Sequence, residues 1–155
     1  MFHIILFQPE IPPNTGNIIR LCANTGSQLH LVKPLGFTLE DKQLVRAGLD
    51  YHEFATLQVH ENLQDCLLAF DPARVFAFTT KGSQSFHRIS FHPGDAFLFG
   101  PESRGLPAEV IEQFDPPHRL RLPMLPDNRS LNLSNTVAIA VYEAWRQCEF
   151  SGAKF

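Results

Sequence analysis

The chain has no Gly-x-Gly-x-x-Gly after its first apolar run and no Walker loop, so the phosphate cradles of dinucleotide and nucleoside triphosphate sites are missing. His52-Glu53 and His60-Glu61 each lack a second histidine four residues after the first, which removes the zinc-protease motif. There is no serine-hydrolase elbow, and Ser151 to Lys154 matches Ser-x-x-Lys only in the tail. Cysteine is scarce. Cys22, Cys66 and Cys148 are odd in number and widely spaced with no Cys-x-x-Cys pair, so buried thiols are expected rather than a disulfide framework or a zinc ribbon. The seven histidines are scattered along the chain, and each reads as a surface or satisfied core residue rather than a ligand. The opening MFHIILFQPE has no basic n-region and no apolar run long enough for a signal peptide or a membrane span. A cytoplasmic location with no membrane partner is the expectation. Repeats, linkers and low-complexity segments are also absent.

Charge is sparse as well: charged residues make up 19% and the formal net charge is −3. Affinity for a nucleic-acid backbone rests on neutralising phosphates, so this balance argues against DNA as a partner. Its distribution softens the argument for RNA. Nine of the 13 basic residues are arginine, and Arg20, Arg46, Arg88, Arg104, Arg119, Arg121 and Arg129 lie in or beside polar loops. Arginine forks bind phosphate in a bidentate way that lysine cannot, so a local basic groove is possible.

What is present suits one globular domain over residues 1–155, with 44% hydrophobic residues and 14 phenylalanines set mostly in short runs. Strands are expected at Phe2 to Phe7, Leu29 to Val32, Phe54 to Val59, Val75 to Thr79, Ala96 to Phe99 and Leu120 to Leu122. Helices should lie between them: one capped by the Asn14 to Asn17 cluster and ending near Gly26, one opened by a Thr38/Asp41 capping box and closed by Gly48, then Leu63 to Phe70 and Pro107 to Gln113. This alternation predicts an α/β fold with a six-stranded, mostly parallel sheet covered by helices on both faces. Ligands of such sheets sit outside the carboxyl ends of the strands. Three polar loops qualify: Thr79 to Gly82, GPESRGLP from Gly100 to Pro107, and PMLPDNRSLN from Pro123 to Asn132.

The last of these runs into RSLNLSNTVAIAVYEAWRQ, Arg129 to Gln147. Ser130, Asn132, Ser134 and Asn135 are all good helix N-caps, more than one helix needs, so the surplus can hold a ligand. Five consecutive apolar positions, Val137 to Val141, go most of the way round a helix, and one face cannot bury them all. Val137, Val141, Ala144, Trp145 and Cys148 make a stripe toward the domain. Ile139 is left for a second surface, with Ala138 and Ala140 small enough for close approach, which points to a homodimer through this C-terminal helix.

PEIPPNTGNIIRLCANTG (Pro9 to Gly26), FGPESRGLP (Phe99 to Pro107) and the Arg129 to Gln147 stretch together resemble the three motifs of the SPOUT superfamily of S-adenosylmethionine-dependent RNA methyltransferases. RAGLDY (Arg46 to Tyr51) and TTKG (Thr79 to Gly82) extend the likeness over nearly the whole chain, which looks closest to the tRNA 2′-O-methyltransferases of the TrmL (YibK) type. The resemblance implies a SPOUT fold with a C-terminal deep trefoil knot, a homodimer, and S-adenosylmethionine as methyl donor with no metal. It implies methylation of the ribose 2′-hydroxyl of cytidine or uridine 34, the wobble nucleotide in the tRNA anticodon stem-loop, leucine isoacceptors being the expected ones. By matching positions, Phe78, Gly100, Leu122 and Ser130 would contact the donor with Leu131 nearby, and Arg20, Glu102 and Asn132 would serve the reaction. Arg20 would orient phosphate and ribose; a guanidinium pKa above about 12 makes it a clamp rather than a base. Glu102 would either bond backbone amides or orient Arg20. Asn14 would cap the first helix or position substrate, Asn132 with Ser130 would bridge donor and ribose, and Tyr142 would stack on substrate or pack in the dimer. The alternatives are a SPOUT enzyme acting on rRNA or a base nitrogen, and a non-catalytic RNA-binding dimer.

Overall fold

The computed structural model describes residues 1–46 and 56–155. Seven strands form one sheet: β1 (His3–Phe7), β2 (Gln28–Val32), β3 (Gln58–His60), β4 (Val75–Phe78), β5 (Gln84–Ser85), β6 (Ala96–Phe99) and β7 (Arg119–Arg121). Their order is β3-β2-β1-β6-β4-β7-β5, and every ladder is parallel. The expected count of six is corrected by β5, which has only two half-buried polar residues and so no hydrophobic signal. The third strand lies at Gln58–His60 rather than Phe54 to Val59, and Phe54, with Ala47, Gly48 and most of RAGLDY, lies outside the described residues. Placing β4 between β6 and β7 is consistent with the expected knot.

Period-two alternation sorts the core. Ile4, Leu6, Phe76, Phe78, Phe97 and Phe99 face one side with helices α1 (Pro12–Thr25), α2 (Lys42–Arg46) and α5 (Leu133–Gln147). Ile5, Val75, Ala77 and Leu98 face the other with α3 (Leu63–Leu67) and α4 (Ala108–Ile111). Phenylalanine is concentrated on the first side, where Phe78 stacks on Phe99 with ring centroids 4.9 Å apart.

Two expected helix starts are corrected. α1 begins at Pro12 with Ile11 as its N-cap, because Pro12 and Pro13 are pre-set for the first turn, so Asn14 lies inside the helix and caps nothing. α2 begins at Lys42, where Asp41 Oδ1 accepts the Gln43 amide at 2.8 Å and Thr38 accepts the Asp41 amide through its backbone carbonyl, so no Thr38 capping box forms. α3 tightens after Leu67 into i to i+3 bonds that carry the turn to Phe70.

The histidines are not all scattered. Parallel pairing of β1, β2 and β3 brings His3 Nδ1 within 3.0 Å of His30 Nε2, and His30 Nδ1 within 2.9 Å of His60 Nε2. Burial, aided by the two neighbouring imidazoles, pushes the pKa of His30 down to about 4.

Candidate active site

Because the strands are parallel, the chain leaves β4, β6 and β7 at one end of the sheet. The loops there meet in a pocket of about 340 Å³, to which they contribute Thr79 and Thr80, Gly100 to Glu102 with Gly105, and Ser130 to Asn132. All three expected loops are brought together. A fourth element, Ile11 and Asn14 at the start of α1, completes the wall and was not expected there. A wider depression of about 830 Å³ lies beside Met1 and Gly26, which lead into β1 and β2, and so is away from the carboxyl ends.

Gly100 explains how the second loop closes. A Cβ there would stand 2.2 Å from the Leu106 nitrogen and 2.3 Å from the Gly105 carbonyl carbon, so only glycine lets the loop fold back onto its strand. Gly105 makes the return at φ 66°, a left-handed conformation.

Two glutamates clasp this loop to α1. Glu102 Oε1 accepts the Glu10 amide at 2.9 Å, while Oε2 accepts the Ile11 amide at 2.6 Å and Asn14 Nδ2 at 3.3 Å. Ile11 has no side-chain cap bond of its own, so a carboxylate from another motif caps α1, where the helix dipole favours negative charge. Of the two roles expected for Glu102, the binding of backbone amides is the one seen. Glu10 reciprocates: its Oε1 accepts from the Ser103 amide at 2.9 Å and from the Ser103 hydroxyl at 2.7 Å. Those bonds, the amide first, hold the Glu10 carboxyl below its ordinary pKa.

Asn132 is the residue that caps α5 among the four candidates. Its Oδ1 accepts from the Ser134 amide at 2.9 Å, the Ser134 hydroxyl at 2.6 Å and the Asn135 amide at 3.3 Å. Its Nδ2 donates to Asn14 Oδ1 at 3.0 Å. Asn14, buried in the first turn of α1, therefore links Glu102 to Asn132 and ties all three motifs together.

Phe78, Gly100, Glu102, Ser130, Leu131 and Asn132 line the pocket. Leu122 does not, being packed in the core beside Phe78. Arg20 is also outside the wall, on the exposed side of α1. Of the loop arginines, Arg119 is spent on the Phe114 carbonyl at 2.7 Å, whereas Lys81, Arg121 and Arg129 are exposed close in sequence to the pocket loops. On α5, Val137, Val141, Ala144 and Trp145 are buried and Ile139 is 42% exposed, as the two-surface reading expects. Ala140 is fully buried in the chain's own core, which removes it from the proposed contact surface.

Residues 1–142 match the SpoU rRNA Methylase family. The chain is 68% identical over 153 residues to the tRNA (cytidine(34)-2'-O)-methyltransferase of Methylovorus glucosotrophus (strain SIP3-4), covering 99% of each chain. It superposes with a TM-score of 0.88 and 47% identity on a solved structure concerned with the 2-OH methylation of C/U34 on tRNA, covering 97% of both. An AdoMet-bound rRNA methyltransferase from Sinorhizobium meliloti aligns with a TM-score of 0.78 and 27% identity, over 94% of this chain and 56% of that one. By the span of that family match and by its near full-length relatives, this chain belongs to the SpoU methylase family of the SPOUT superfamily.

Proposed function

We propose that this chain, acting as one domain over residues 1–155, transfers the methyl group of S-adenosylmethionine to the ribose 2′-hydroxyl of cytidine or uridine 34 in the anticodon stem-loop of tRNA. The observation that carries the reading is the single pocket in which all three motif loops meet, in a chain 68% identical to a methyltransferase named for that nucleotide. The pocket suits the donor. Absence of a side chain at Gly100 leaves loop backbone facing the cavity, and Phe78, Phe99 and Leu131 supply apolar wall for a base. When bound, the donor brings an electrophilic methyl on a sulfonium, so the protein's task is alignment and help for a weakly acidic hydroxyl.

Glu102, Asn14 and Asn132 act as positioning residues, since their polar atoms bond to one another and to helix amides. Ser130, exposed at the pocket rim, is left to meet donor and ribose. Arg20 serves as the phosphate clamp. It stands on α1, which packs beside α5, and the exposed Ile139 and Tyr142 of α5 form the homodimer face, so that the arginine of one subunit reaches RNA held against the other subunit's pocket. No described helix is long and apolar enough to cross a membrane, in keeping with a cytoplasmic enzyme.

The test is transfer of labelled methyl from S-adenosylmethionine to unfractionated tRNA from cells lacking the protein, with wild type and Arg20→Ala compared and the nucleoside identified. Label in 2′-O-methylcytidine or 2′-O-methyluridine at position 34, lost in the variant, is expected. Label in rRNA or on a base nitrogen overturns the substrate, and donor binding with no transfer to any RNA points to the non-catalytic reading.

A further inference from the structure

On the second face of the sheet, away from the three loops, His30 of β2, His60 of β3 and Cys66 of α3 bring one ligand atom each to within 4.8 Å of one another. They come from three separate elements, and none takes part in the methyl-transfer pocket. His30 and Cys66 are buried and His60 is half-buried. We infer that His30 Nδ1, His60 Nε2 and Cys66 Sγ form a binding site for one zinc-class divalent cation, with solvent as the fourth ligand.

The donor set fits the ion. Two imidazoles and a thiolate are the ligands that borderline metals such as zinc prefer over calcium or magnesium, which take oxygen. The spacing fits too. Tetrahedral zinc, with zinc–nitrogen bonds of about 2.0–2.1 Å, needs its two nitrogens roughly 3.3 Å apart. His30 Nδ1 and His60 Nε2 stand 2.9 Å apart, so an opening of about 0.4 Å admits the ion.

The outer partner is already in place. A metal-bound histidine ordinarily donates its other ring N–H to an acceptor that fixes its tautomer. His30 Nε2 lies 3.0 Å from His3 Nδ1, and the Phe70 ring stands edge-on to both imidazoles with centroids 4.9 and 5.4 Å away. With Nε2–H directed at His3, His30 presents its Nδ1 lone pair toward His60 and Cys66. Without the ion, that lone pair accepts the His60 Nε2–H. On binding, the His60 proton moves to its Nδ1 and the Cys66 thiol releases one proton to solvent, so each ion taken up frees one proton.

The ion would tie the three-residue edge strand β3 to β2 and α3. This does not depend on the methylation assignment. Protein treated with a chelator and then freed of it is titrated with Zn²⁺ against a chromophoric zinc chelator, and with Co²⁺ to look for thiolate-to-cobalt charge-transfer absorption. One equivalent per chain, the cobalt band and a rise in Tm with zinc are expected. His3→Ala should weaken binding about 10- to 100-fold, the usual loss for an outer-shell partner. Cys66→Ser and His60→Ala should each abolish the band while donor binding persists, and exposed His92→Ala should change nothing. Substoichiometric binding by the wild type, or stoichiometric binding that survives both Cys66→Ser and His60→Ala, overturns the site.

Discussion

Asn132 Nδ2 donates to Asn14 Oδ1 at 3.0 Å, joining the cap of the last helix to the first turn of the first across 118 positions of sequence. The same Asn132 side chain caps α5 through Oδ1, so its two halves can be separated by substitution. Asn132→Ser keeps a capping oxygen and loses the bridge. Asn132→Ala loses both, and should cost about 0.5–2 kcal/mol more than the serine variant, the worth of an N-cap. Urea unfolding midpoints check this; equal loss in both variants would assign the whole effect to the bridge.

Glu102→Gln replaces one acceptor oxygen with an amide that cannot accept, opposite the Glu10 and Ile11 N–H groups. One charge-assisted bond to a helix end is lost, and a destabilisation of about 1.5–3 kcal/mol follows. If Glu102 only positions the loop, donor affinity should fall while the pH profile of methyl transfer keeps its shape. A profile that loses a limb in Glu102→Gln would make the carboxylate a proton carrier instead.

The Glu10–Ser103 half of the clasp predicts a pH dependence. Glu10 titrates lower in the folded chain than in the unfolded one, because the Ser103 amide and hydroxyl bind its charged form. Its contribution is therefore fully present above the ordinary carboxylate value near 4.5 and is lost as pH falls below it. Wild type should be more stable than Ser103→Ala at pH 7, and the gap should close on acidification. A gap that persists at pH 3 would mean that the serine acts by some route other than Glu10.

Gly100→Ala tests the turn that brings the second loop back on its strand. The added Cβ would meet backbone at 2.2 Å, and backbone cannot step aside as a flexible side chain can. We expect overpacking losses of about 1–3 kcal/mol and at least a tenfold loss of donor affinity by calorimetry. Unchanged affinity would show that the loop opens without consequence for the pocket.

The three loops were legible in the sequence because parallel strands place every βα turn at the same end, and apolar runs such as Ala96 to Phe99 mark the strands plainly. Polarity at Gln84 and Ser85 hid the seventh strand. The choice of Asn132 from four equivalent caps, and the pairing of Asn14 with Asn132 and Glu102, depend on how α1 and α5 pack, which no local signal records. His3, His30 and His60 are 27 and 30 positions apart, and only strand register brings them together. Arg20 carries a role from family likeness alone, and one subunit does not bring it to the pocket.

That displacement of Arg20 makes the dimer prediction the most consequential. Ile139 is 42% and Tyr142 45% exposed on the outer side of α5, while Val137, Val141 and Ala144 on its inner side are fully buried. An exposed isoleucine and tyrosine on a helix beside the pocket loops are the material of an interface core, where a charged residue is poorly tolerated. Ile139→Arg should therefore leave the subunit folded, with an unchanged far-ultraviolet spectrum, yet monomeric by light scattering. If Arg20 acts on RNA held by the other subunit, methyl transfer should vanish in that monomer. Mixing Ile139→Arg with Arg20→Ala protein should restore none of it unless mixed dimers form. An active monomer would sink both the interface and the cross-subunit role of Arg20, because a single chain would then have to supply the clamp from its own α1.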